Sequence, residues 1–144
     1  MISLWVRVKI PDNGSTTRAI AGKRDGTSGF SITHTATTGA LVAGIRDGSA
    51  NVASASSAID YGDAAWHDVM IALDAGTAVH IYTEQGTASA AATAVGDITS
   101  AAVFSLGSMT GYINAIAGLQ FSYAAFWSGT FLSSANFTTL ITSF

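Results

Sequence analysis

The sequence predicts an all-β fold, an antiparallel β-sandwich of jelly-roll type with a short C-terminal helix. Two observations carry the sheet. Short runs of alternating apolar and polar residues recur at roughly 8–12-residue spacing, and Gly- or Asp-containing turns separate them. A third observation carries the helix: after Leu132 the apolar residues Phe137, Leu140 and Ile141 fall at helical spacing behind Ser133 and Ser134, either of which can cap the first turn.

The clearest runs flank the turn Asp74-Ala75-Gly76-Thr77. Before it Val69, Ile71 and Leu73 share one parity, and after it Val79 and Ile81 oppose His80 and Tyr82. A second turn at Glu84-Gln85-Gly86 sends the chain back. Period-two alternation around such turns predicts an antiparallel meander with one buried face, here spanning Trp66 to Gly86 in the middle of the sandwich.

The other elements follow in order. Ile2, Leu4, Val6, Val8 and Ile10 alternate with Ser3, Trp5, Arg7 and Lys9, giving a strand stopped by Pro11 and the Asp12-Asn13-Gly14-Ser15 turn. Trp5 falls on the polar parity, either beneath a terminal segment or open to a partner. Arg18 to Lys23 is a second strand ended by Arg24-Asp25-Gly26. Phe30, Ile32 and His34 mark a third. Leu41 to Arg46 forms a fourth, ended by Arg46-Asp47-Gly48. Asn51 to Ser57, built of small residues, reads as an edge strand, and Tyr61-Gly62-Asp63 leads into the meander. Ala88 to Val95, bracketed by Gly86 and Gly96, reads as strand or loop in spite of its alanines. Val103 to Gly107 alternates and precedes a loop over Gly107–Gly111. Leu119 to Trp127 is a long apolar strand ended by Ser128-Gly129.

Composition narrows the function. The chain has 144 residues, 49% of them hydrophobic, and no cysteine. It reads as one domain over residues 1–144 whose stability comes from packing, with no disulfide framework. Net charge is −3 with six basic residues scattered among nine acidic ones, which leaves no basic footprint for nucleic acid. Only 10% of residues are charged, well under the usual quarter. Solubility normally leans on charge, so a neutral surface of Ala, Ser, Thr and Gly points to a protein covered by neighbours in an assembly, as a homo-oligomer or on a larger partner. Met1 is followed at once by a strand pattern and not by a targeting segment. Asn114, Gln120 and Ser122 interrupt the longest apolar stretch before it reaches the roughly 18 residues of a membrane helix, so the domain is expected to be soluble.

With these elements in place the sequence resembles the laminin-G-like branch of the concanavalin A-like jelly rolls. Leu4-Trp5-Val6-Arg7 resembles the family's opening Trp-Val-Lys strand, and Gly22-Lys23 with Phe30-Ser31-Ile32 its Gly-Lys and aromatic strand. Trp66-His67-Asp68-Val69, Leu73-Asp74 and Ile81-Tyr82-Thr83-Glu84-Gln85-Gly86 resemble its central hairpin. Leu106-Gly107-Ser108 matches its Ile-Gly-Ser, and Phe126 to Ser133 its closing strand. The order covers nearly the whole chain. Two departures stand out. There is no room before Ile2 for the family's additional first strand, which leaves an edge open to strand addition. Tyr123 stands where the family's closing strand often carries an acid.

Catalytic patterns are missing. Glycoside hydrolysis, known on this fold, needs two flanking carboxylates; the one glutamate, Glu84, falls at a hairpin tip, where it is expected to be solvated, and no acids alternate along a strand. His34, His67 and His80 lack ligand spacing, and no Gly-x-Ser-x-Gly elbow or phosphate-cradling loop occurs. The resemblance implies a possible rim calcium, for which Asp25, Asp47, Asp60 and Asp63 are the candidate ligands; their Asp-Gly context favours turn formation, so no cofactor is expected. The sequons at Asn13 and Asn136 are expected by chance in so Ser/Thr-rich a chain.

The expected function is therefore a non-catalytic structural or interaction module. The resemblance implies a virion role, capsid-decorating or on a tail or fibre, at a virion or extracellular surface. The alternative is a carbohydrate-binding, lectin-like module. Candidate contact residues are the aromatics Trp5, Tyr61 and Tyr112 and the loop residues Arg24, Asp25, Arg46 and Asp47.

Overall fold

A computed structural model describes residues 1–12, 14–49, 52–108 and 116–143. Asn13 with the first sequon, Asn51 at the head of an expected strand, Gly111 at the end of an expected loop, the candidate contact Tyr112 and the terminal Phe144 lie outside the described residues. The strands are β1 (Ile2–Lys9), β2 (Arg18–Arg24), β3 (Gly29–His34), β4 (Leu41–Arg46), β5 (Val52–Ser56), β6 (Trp66–Asp74), β7 (Ala78–Thr83), β8 (Gly86–Ala91), β9 (Ser105–Leu106) and β10 (Gln120–Ser128), followed by the helix α1 (Ser134–Thr142).

They form two five-stranded antiparallel sheets, ordered β10-β1-β6-β7-β8 and β5-β4-β3-β2-β9. The predicted meander is β6-β7-β8, with Ile71 opposite Ile81 and Leu73 opposite Val79. The alternating parities turn inward as expected. Leu4, Val6, Val8, Val69, Ile71, Leu73, Val79 and Ile81 of one sheet pack on Phe30, Ile32, Ala43 and Ile45 of the other. This burial of apolar surface is the main force closing the sandwich.

A second, smaller core lies on the outer face of the first sheet. Trp5, Met70, Ala72 and Tyr82 point away from the sandwich and are covered by Phe137 of α1, with Leu140 and Ile141 alongside. Ser133 caps the helix: its hydroxyl accepts from the Asn136 amide, and the Asn136 side chain accepts from the Ser133 amide. Trp5 therefore lies under a terminal segment, 1% exposed, and is not open to a partner.

β1 is an interior strand, paired to β10 on one side and β6 on the other. The strand with little cover is β2, which β9 meets only at Ala21 and Gly22. The run Val103 to Gly107 forms a ladder only at Ser105–Leu106. On the opposite side β5 sits against β8 and β7, closing that flank.

Candidate functional site

The flank between β10 and β2 stays open. Inward parity on β10 carries Ala124 and Phe126, opposite the fully buried Val6 and Leu4, yet both are exposed, and among the described residues no strand of the facing sheet lies above them. A cleft of about 870 Å³ opens here. Three phenyl rings form one wall: Phe30 lies almost parallel to Phe126 with centroids 5.9 Å apart, and Phe104 leans on both. Ile2, Ala75, Ile98 and Val103 extend the apolar lining. Phe104 and Phe126 are 40% and 46% exposed, an unusual state for rings packed against a core residue.

Lys23 lines the same cleft. It pairs with Phe30 across the β2–β3 ladder, so its side chain stands on the inner face of its sheet, the face that holds Ala21 and Ile32 in the core. Among the described residues its ammonium makes no hydrogen bond or ion pair.

The two Arg-Asp-Gly turns stand behind residues 96–100, which line the cleft. Asp25 Oδ1 accepts from the amides of Thr27 and Ser28 and from the Thr27 hydroxyl, and Oδ2 accepts from Ser28 and Ser100 Oγ. The Ser28 amide, followed by the Thr27 hydroxyl and amide, holds the Asp25 carboxyl far below the usual carboxylate range. Ser28 Oγ also donates to the Thr99 carbonyl at 2.7 Å. Asp47, 5% exposed, accepts from Ser49 through Oδ1 and from the Gly96 amide through Oδ2. These carboxylates thus fasten residues 96–100 against the sandwich. Arg46 Nη1 donates to the Gly26 carbonyl and joins the two turns, while Arg24 and Arg46 sit on either side of Gly29 on the outer face. Gly29 is required there: at φ +119 a Cβ would stand 2.0 Å from the Lys23 carbonyl oxygen.

Of the predicted contact residues, the structure gathers Arg24, Asp25, Arg46 and Asp47 in the two linked turns, outside the cleft lining, with the carboxylates hydrogen-bonded to the segment 96–100 and to their own turns. It separates the aromatics from them. Tyr61 is fully buried and donates to Thr83 Oγ1 at 2.7 Å; burial pushes its phenol up. Trp5 donates to Asp68 beneath α1. The cleft residues that sequence reasoning missed are Phe104, Phe126 and Lys23. A cationic residue on the inward parity of Ala21 was a signal in the sequence, hidden because β2 bulges between Ala19 and Ala21 and shifts the alternation.

Glu84 is also not simply solvated. His67 Nδ1 lies 2.5 Å from Glu84 Oε1 and Nε2 lies 2.8 Å from Asp63 Oδ1. The two carboxylates sit on opposite nitrogens of one ring, so they converge on no common point, and no group of three metal-ligating side chains occurs among the described residues. The acid lining the cleft is Asp97, whose Oδ1 accepts from the Thr99 amide and hydroxyl. No helix of the described residues is long and apolar enough to cross a membrane.

Fold and cleft together define the chain as a two-layered antiparallel β-sandwich with one open flank. No protein-family model and no curated protein matches it. Solved structures do. The binding domain of Paraclostridial Mosquitocidal Protein 1 superposes with a TM-score of 0.77 at 10% identity, over 99% of this chain and 37% of that one. The binding domain of botulinum neurotoxin serotype C1 gives 0.65 at 15% identity, and that of botulinum neurotoxin DC, solved in complex with SialylT, 0.66 at 15%; each covers 99% of this chain and 35% of the other. The chain therefore spans little more than a third of the toxin domains it matches, and what it shares with them is the fold.

Proposed function

We propose that this chain is a non-catalytic binding module of laminin-G-like kind that docks through its open flank onto further copies of itself in a larger assembly, such as a virion or another extracellular surface. The observation that carries this reading is the strip of Phe104, Leu106 and Phe126, each 40% or more exposed, along the side that no strand of the described residues covers. A surface with few charges beside such a strip favours association. Light scattering tests it: the mass in solution exceeds one chain at micromolar concentration, and Phe126→Asp returns it to one chain. A monomer at every concentration overturns the docking role.

A second reading, a carbohydrate-binding module, draws support from one particular neighbour, the toxin binding domain solved with SialylT. Exposed phenyl rings offer faces on which a sugar stacks. A glycan array tests it, with binding lost in Phe104→Ser.

A further inference from the structure

We propose that the cleft binds an anionic amphiphile, a medium-chain carboxylate whose aliphatic tail lies along Phe30, Phe104 and Phe126 and whose head meets Lys23. The inference rests on reading the open flank as the binding side, and it names the ligand class of that side.

The cleft has the volume of a small-molecule site, in the range of roughly 300–1,000 Å³. On the wall formed by residues 96–100 the hydroxyls are engaged: Thr99 Oγ1 donates to Asp97 and Ser100 Oγ to Asp25. A neutral sugar needs free polar groups to replace the water around its own hydroxyls, and these two are turned away from it. The rest of the lining is mostly apolar, with Lys23 as its one basic side chain. Lys23 is placed on the core face of its strand, half-buried beside Phe30, with no partner among the described residues. The acid in the lining, Asp97, accepts two donors of Thr99 on Oδ1 and forms no ion pair with Lys23. An inward-facing lysine on a poorly covered strand also serves as a guard against edge pairing. The guard role accounts for the charge; it does not account for a ring-lined cavity beneath it.

The test uses the full chain and isothermal titration with dodecanoate below its micellar concentration, against dodecyltrimethylammonium, which has the same tail and the opposite head charge. Dodecanoate binds saturably at one site per chain and about tenfold or more tighter than the ammonium amphiphile, the effect of one charge-assisted contact. Lys23→Met keeps the tail contacts and abolishes the preference. Phe104→Ser, in an exposed loop, weakens both ligands with circular dichroism and melting unchanged. The proposal is overturned if dodecanoate does not saturate, or if Lys23→Met retains the preference and merely aggregates, as loss of an edge guard would. Light scattering on Phe126→Asp separates the two readings. If that variant loses self-association while dodecanoate fails to bind the native chain, only the ligand assignment falls; if neither association nor binding depends on Phe126, both fall.

Discussion

The Trp5 indole N–H donates to Asp68 Oδ1 at 3.0 Å, from a ring that packs edge-on against Tyr123 with centroids 4.2 Å apart. A tryptophan on the polar parity of a strand thus completes an apolar layer and satisfies its one donor at the layer's margin. Trp5→Phe keeps most of the buried area and removes the hydrogen bond. It lowers unfolding free energy by about 1–3 kcal/mol, because the partner is a charged carboxylate and the site is buried. Urea denaturation measures this, and binding at the cleft stays unchanged since Trp5 lies under α1 on the other side of the sheet.

The ring of His67, 3% exposed, is held between Asp63 and Glu84. Burial by itself lowers the imidazolium's pKa, but the bonds to Asp63 and then Glu84 outweigh it and the net shift is upward. A folded-state pKa above the unfolded value of about 6.5 means that this contribution is complete below pH 6.5 and fades as pH rises through the folded value. Asp63 shifts the other way, held down by the His67 bond and then by the Ala65 amide, so its share is present above about pH 3.8 and is lost in acid. The chain is therefore more stable at pH 5.5 than at pH 8.5 through this cluster. Both acids are partly exposed, which keeps the difference within about 1 kcal/mol. Glu84→Gln narrows it in paired denaturation curves; an unchanged difference overturns the assignment.

Much of the frame was legible because local alternation encodes it. The β6–β8 meander, β5 as an edge and the Ser133-capped helix all sit where their patterns put them. What alternation does not carry is the environment of a strand's second face. β6 is apolar on both parities, with Met70 and Ala72 outward, because it lies between two cores. β10 shows a clean alternation, yet its inward residues Ala124 and Phe126 are exposed, since that depends on how far β9 extends on the facing sheet. The partners of Asp47 and His67 were hidden for another reason: Gly96 and Glu84 are 49 and 17 residues away, and only the folded topology brings them together.

Ala58 and Ala64 adopt φ of 57° and 61°, a left-handed backbone that costs an alanine about 1 kcal/mol. Both side chains are exposed, so no packing compensates locally. The Ala64 amide is instead held by the Ile10 carbonyl at 2.8 Å, which fixes the strained segment to the end of the first strand. Ala58→Gly and Ala64→Gly relieve the strain and loosen the unfolded chain, and each gains about 0.5 kcal/mol on balance. Thermal melts showing both variants destabilised would contradict this account of the segment.

Asp25 and Asp47 anchor the wall of the cleft, and their two roles separate by pH. The Asp25 carboxyl is held down chiefly by the Ser28 amide and the Thr27 hydroxyl. A depressed folded value places its contribution above the unfolded pKa of about 3.8 and removes it progressively as pH falls below that. Loosening of residues 96–100 in acid follows, and hydrogen exchange at Gly96, Thr99 and Ser100 reads it. Asp47→Ala acts at neutral pH: it leaves the Gly96 and Ser49 amides without acceptors and costs about 1–3 kcal/mol. Because these oxygens, together with those of Asp60 and Asp63, already accept local donors, calcium up to millimolar concentration leaves the melting temperature unchanged. A rise of several degrees on adding calcium would mean that the turns open to ligate it, and the wall would then be a metal-dependent structure and not a hydrogen-bonded one.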